Sequence, residues 1–166
     1  MSAEPGDSFL LATFSSHDTA RARVAPRKDR KFSWIDPALG SLAYHLGQGD
    51  LPSAASRAEW LVGAELLRRY ERRLFEGLSA PRNVFTWKSS SGNELDYLIV
   101  DRAKKILFPV EVKYQNSISD WDFQVAEKAF GRGLIVSKTA EVVREKAQAV
   151  GMSSFLFESD GVLPAG

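Results

Sequence analysis

The sequence predicts an α/β fold, a mixed β-sheet with flanking helices. Three observations lead there. Leu95–Val100 (LDYLIV) and Ile106–Tyr114 (ILFPVEVKY) are runs of apolar, β-forming residues joined by the polar, basic DRAKK, a good turn. A long helical pattern, Ser53 to Gly77, stands before them, and helical and strand-like segments alternate after them. The 166 residues suffice for one domain with a real core.

In chain order, Met1–Ser8 is polar and reads as a fraying end, and Phe9–Phe14 (FLLATF) as a short strand. Ser15–Arg30 reads as a long basic loop and Lys31–Ile35 (KFSWI) as a second strand. Asp36 caps a helix over ALGSLAYHLG, with Pro37 at its first position. Gly49–Pro52 is a linker, so residues 1–52 form an N-terminal appendage (strand, loop, strand, helix) and 53–166 the main domain. Ser53 caps the long helix and Gly77 ends it. A strand at FTW and a tight Gly92-Asn93 connection lead into LDYLIV. After Tyr114 come a loop and a helix capped by Ser119 or Asp120 and stopped by Gly131 or Gly133. A buried strand GLIVS follows, then a helix over Thr139–Val150 and a last strand SFLF.

Three charged residues interrupt strands that otherwise look buried: Asp96, Glu111 and Lys113. Charges on core strands are costly unless paired or metal-bound. Alternation sends Glu111 and Lys113 to one face and Val110, Val112 and Tyr114 to the other. If the two strands pair antiparallel, Asp96 joins that face. Adjacent carboxylates resist joint ionisation without a cation between them. Oxygen ligands with open positions suit Mg²⁺, and a lysine beside them can position water or stabilise developing charge.

The long helix holds three acids. Glu65 and Glu71 sit among arginines and read as surface ion-pair partners. Glu59 shares its face with Val62, Gly63, Leu66 and Tyr70. It reads either as a third carboxylate of the site or as a helix-start acid favoured by the dipole.

Net charge is only +1, but it is unevenly spread. One basic cluster holds Arg27, Lys28, Arg30 and Lys31; another, RRYERR, holds Arg69 and Arg72. Either they contact phosphates, nucleic acid and in the first place DNA, or they are solvated faces. With no cysteine, disulfides and Cys-based zinc sites are excluded. His17 and His45 lack any metal-ligand spacing. No apolar run approaches a membrane span, and FLLAT is too short for a signal segment, so no membrane partner and a cytoplasmic location are expected.

Asp96, a gap, then Glu111-Val112-Lys113 resembles the PD-(D/E)xK nuclease superfamily, although Leu95 stands where its proline would be. More narrowly, the stretches KFSWIDPALGSLAY, EWLVGAELLRR, VFTWKSSSGNELDYLIV and FPVEVKY resemble, in that order, the C-terminal domain of unknown function of many prokaryotic AAA-type ATPases. That resemblance implies a restriction-endonuclease-like core and Mg²⁺- or Mn²⁺-dependent phosphodiester hydrolysis. Asp96, Glu111 and Glu59 would hold the metal and Lys113 would orient the attacking water. It also implies an alternative, a catalytically silent module that binds DNA or docks on a partner. Gln124 falls where some members carry a polar residue near the metal; it reads equally as a surface glutamine. No G-x-x-x-x-G-K-[ST] stretch exists here, so no ATPase activity is expected of this chain and the ATPase domain would be a separate partner. FLLATF, which looks like the middle of a longer fold, suggests a fragment or truncated homologue.

Overall fold

The computed structural model describes residues 11–25, 30–71, 81–103, 105–157 and 163–164. Strands β1 (Leu11–Phe14) and β4 (Lys31–Trp34) form an antiparallel ribbon, with Phe14 opposite Lys31. Between them β2 (His17–Asp18) and β3 (Arg23–Val24) form a small antiparallel hairpin where a structureless loop was expected. Asp18 Oδ1 accepts the N–H groups of Ala20 and Arg21, an Asx turn that closes it.

The helix expected after Asp36 is one 3₁₀ turn at Leu39–Ser41 and a single turn, α1 (Leu42–His45). Asp36 Oδ1 does accept the Ala38 N–H, at 2.9 Å. The long helix α2 (Ala54–Tyr70) starts as expected, with Ser53 Oγ accepting the Ser56 N–H at 3.0 Å. It ends at Tyr70 rather than at Gly77, which itself lies outside the described residues. The reason is Glu71, which leaves the helix and is buried. Its Oε1 accepts the backbone N–H groups of Arg82, Asn83 and Val84, and Asn83 Nδ2 donates to the Tyr70 carbonyl at 2.8 Å. Glu71 is therefore a clamp between helix end and sheet, not a surface partner of arginines.

The main sheet contains β5 (Val84–Lys88), β6 (Glu94–Asp101), β7 (Ile106–Lys113), β8 (Gly133–Ser137), β9 (Val142–Val143) and β10 (Ala147–Gly151). Its order is β5-β6-β7-β8-β10-β9. β5, β6 and β7 are successive antiparallel neighbours. α3 (Asp120–Phe130) then crosses over to β8, which lies parallel to β7. A capping box between Ser119 and Asp122 begins α3, and Gly131, at φ 68°, ends it in the left-handed conformation that favours glycine.

Two expectations fail beyond β8. Thr139–Val150 is not a helix: its described core is β9 and β10, with β10 parallel to β8. Ala147, Ala149 and Gly151 are buried in alternation, the period of a strand. SFLF is not a strand but part of α4 (Met152–Phe157), whose Phe155 enters the core. The sheet is thus covered on both faces. Val62, Leu66 and Leu67 of α2 and Phe155 pack with Tyr97, Ile99, Val110, Val112, Leu134 and Val136 on one face. Phe123 of α3 packs with Ile135, Ala147 and Ala149 on the other.

The N-terminal segment shares this core. Ala12 and Phe14 belong to the α2 cluster, and the Phe14 ring meets Tyr97 edge-on at 5.2 Å. This packing brings β4, and with it Lys31, against the start of β6. Among the described residues no helix is long and apolar enough to cross a membrane.

Candidate active site

The antiparallel register sets Tyr97 opposite Val110, which brings Asp96 beside Glu111. The Asp96 N–H donates to Glu111 Oε2 at 3.2 Å, and the Val112 N–H donates to Asp96 Oδ2 at 2.9 Å. Each carboxylate is therefore fixed by the neighbouring strand's backbone. Lys113, two residues past Glu111 on the same face, holds Nζ 3.1 Å from Glu111 Oε1. Asp96, Glu111 and Lys113 meet as the alternation of β7 predicts.

Glu59 reaches the same place from α2, but through an intermediary. Lys31 Nζ lies 2.7 Å from Asp96 Oδ1 and 2.8 Å from Glu59 Oε2. It also stands 4.7 Å above the Tyr97 ring. Tyr97 is itself pinned, its hydroxyl donating to the Glu59 carbonyl at 2.8 Å. Gly63 makes room for it, since a Cβ there would lie 2.5 Å from the Tyr97 hydroxyl oxygen.

These groups open onto a cleft of about 530 Å³ lined by Ser16, Arg30, Lys31, Lys88, Glu59, Asp96 and Glu111, with Trp87 and Leu95 among its walls. Ser16 is buried, and among the described residues its Oγ has no hydrogen-bond partner.

The electrostatics follow from burial and proximity. Burial, and then the charge of Asp96, push the Glu111 carboxyl up to about 7, only partly countered by Lys113. Burial works against the charge of Lys113, yet Glu111 beside it more than compensates and holds its pKa above the ordinary lysine value. Lys31 is held above that value in the same way: burial opposes its charge, and its anionic surroundings with the hydrogen bonds to Asp96 and Glu59 prevail. Both lysines are thus ammonium groups at neutral pH.

Asp96 and Glu111 suit a divalent cation. They are neighbouring carboxylates, and burial together with the charge of Asp96 makes Glu111 resist ionisation. Mg²⁺ commonly takes one or two carboxylates and completes its shell with water and phosphate. A three-acid nest does not form: among the described residues no three Asp, Glu, His or Cys side chains gather as a metal-holding group. The Lys31 ammonium stands between Glu59 and Asp96 instead.

The basic residues expected to meet phosphates divide. Arg27, Lys28 and Arg72 lie outside the described residues. Arg30 lines the cleft. Arg69 Nε bonds Glu65 Oε1 at 2.5 Å and Arg68 bonds the same carboxylate: the pairing within the helix is as expected, but the Glu65 side chain is 11% exposed rather than on the surface. Lys31 holds acids. Gln124 accepts from Lys128 Nζ along α3 at 3.3 Å and takes no part in lining the cleft. His45 is exposed, whereas His17 is buried against Phe85 with ring centroids 5.1 Å apart.

Sequence reasoning put Lys31 among phosphate-contacting cations and missed its place between Glu59 and Asp96, along with Ser16 and the clamp at Glu71. The local signal in β4 is its alternation. That alternation misleads, however: it would turn apolar Phe32 and Trp34 inward, yet Phe32 is 57% exposed and Ser33 is buried, so it is the Lys31–Ser33 side that faces inward.

Fold and site together define a mixed α/β protein with a carboxylate–lysine cluster where two antiparallel strands meet the long helix. The family model described as "Domain of unknown function (DUF4143)" matches residues 56–155, and the chain belongs to that family. The matched span runs from the first turns of α2 into α4 and so contains Glu59, Asp96, Glu111 and Lys113, but not Lys31. No curated protein and no solved structure matches the chain.

Proposed function

We propose that this chain hydrolyses phosphodiester bonds in nucleic acid, DNA in the first place, with Mg²⁺ or Mn²⁺ at Asp96 and Glu111. The observation that carries the reading is the meeting of Asp96, Glu111 and Lys113 across β6 and β7, with Lys113 Nζ 3.1 Å from Glu111. The element order supports it. α2, β5, β6, β7, α3 and β8 follow the order helix, strand, strand, strand with Glu-x-Lys, helix, strand of the PD-(D/E)xK core that the sequence resembles.

In this reading Asp96 and Glu111 hold the metal, which when bound polarises a phosphate oxygen and acidifies a coordinated water. Lys113 keeps its proton, so it acts as a donor rather than a general base. It orients the attacking water and stabilises negative charge that grows on the phosphate. Glu59 acts by positioning Lys31. Arg30 and Lys88, both lining the cleft, follow the nucleic-acid backbone without reading bases.

One observation favours a second reading, a silent module that binds DNA or docks on an ATPase. Lys31 already neutralises Glu59 and Asp96, so the cluster could persist without turnover. Labelled duplex, junction and single-stranded DNA and RNA, incubated with pure protein in Mg²⁺, Mn²⁺ or chelator, separate the two. Cleavage that needs metal and vanishes in Lys113→Ala, with metal binding retained, is the expected result. Cleavage at full rate in that variant, or none with any substrate, removes the hydrolytic reading.

A further inference from the structure

Lys31 comes from a strand 65 residues before Asp96 and is the most firmly held side chain of the cleft. Its ammonium has two carboxylates within 2.8 Å and an aromatic face beneath it. β4 cannot easily withdraw, because β1 beside it anchors Phe14 on the same Tyr97. A half-buried ammonium of this kind persists only where it is paired. Here it supplies positive charge to Asp96, the carboxylate that the hydrolytic reading gives to the metal. A divalent cation on Asp96 would lie a few ångströms from this ammonium, and like charges at that range repel.

We infer that Lys31 is a latch on the metal site: its ammonium keeps a divalent cation off Asp96 in the free protein, and a substrate phosphate releases it by taking the ammonium over. The inference rests on the hydrolytic reading and deepens it. The cleft provides for the exchange. Arg30, next to Lys31 in sequence, also lines it, so a phosphate entering there meets two cations. Lys31 is then a positioning residue that couples two binding events. By linkage, whatever factor the phosphate adds to metal affinity, the metal adds to phosphate affinity.

The test is Mn²⁺ binding by calorimetry to wild type, Lys31→Met and Lys31→Arg, with and without a short non-cleavable phosphorothioate DNA duplex. Without DNA, Lys31→Met should bind Mn²⁺ at least about tenfold more tightly than wild type, and Lys31→Arg should stay near wild type. DNA should tighten Mn²⁺ binding in wild type by about tenfold more than in Lys31→Met. If Lys31→Met does not fold, Lys31→Gln, which keeps a donor for Asp96, takes its place with the same expectation. Equal Mn²⁺ affinities in wild type and the neutral variant overturn the latch and leave the hydrolytic reading standing. No Mn²⁺ binding by any variant, with or without DNA, removes that reading and the latch with it.

Discussion

Replacing Glu111 by Gln should change how stability depends on pH, and by an amount the structure sets. The folded protein holds the Glu111 carboxyl at about 7, against an ordinary value of 4.5. Folding therefore favours its protonated form. That contribution is fully present below 4.5 and is lost as pH rises through about 7. At about 1.4 kcal/mol per pKa unit, the loss is about 3 kcal/mol. The side chain is 16% exposed, so solvent screens little of it. Glu111→Gln mimics the protonated acid and removes the titration. In chelator, the two proteins should melt together at about pH 4.5, and wild type should melt roughly 6–12 °C below the variant by about pH 8.5. Groups remote from Glu111 are common to both and cancel in the difference, whereas Asp96 and Lys113, which interact with it, titrate as part of the same unit. Thermal melts by circular dichroism across this range read it directly. Parallel curves, with a constant gap between the proteins, would refute the argument that burial and Asp96 hold this carboxyl neutral.

Two further substitutions test the frame that positions the site. Glu71→Ala leaves three backbone N–H groups without their acceptor and should cost about 2–4 kcal/mol in urea unfolding; a cost below about 0.5 kcal/mol would show the clamp to be idle. Gly63→Ala drives a methyl group into the Tyr97 hydroxyl and should cost about 1–3 kcal/mol. Because Tyr97 lies under Lys31, the same change should also disturb the seat of the Lys31 ammonium; a fully stable Gly63→Ala protein would contradict the packing.

The core of the fold and three of the site residues were legible because their signals are local. β6 and β7 announce themselves as apolar β-forming runs split by DRAKK, and α3 by its Ser119 cap and Gly131 stop. Glu111 and Lys113 share a face by the period of a strand alone. The misreadings arise where tertiary pairing overrides local preference. TAEVVREKAQAV is rich in helix formers, yet β10 is drawn out by the exposed edge of β8, which offers five parallel partners. SFLF is a short apolar run, ambiguous between strand and helix, and Phe155 settles it by packing with α2's cluster. Lys31 looked like one more member of a basic patch because its partners lie far away in sequence. Glu71 looked like a surface acid because its neighbours in sequence are arginines, while its actual partners are backbone N–H groups from residues 82–84.

The central claim is that Asp96 and Glu111 form a place for a divalent cation. Thermal melts of wild type and Asp96→Asn, each in chelator and in excess Mn²⁺, test it most directly. A ligand at a hundredfold excess over its Kd stabilises the folded state by about 2.7 kcal/mol, roughly 5–11 °C for a chain of this size. With a short non-cleavable DNA duplex present in both buffers, wild type should show that upward shift on adding Mn²⁺, and Asp96→Asn, which loses a charged oxygen ligand at little change in shape, should lose most of it. A wild-type melting temperature that does not respond to millimolar Mn²⁺, with or without DNA present, would contradict the account.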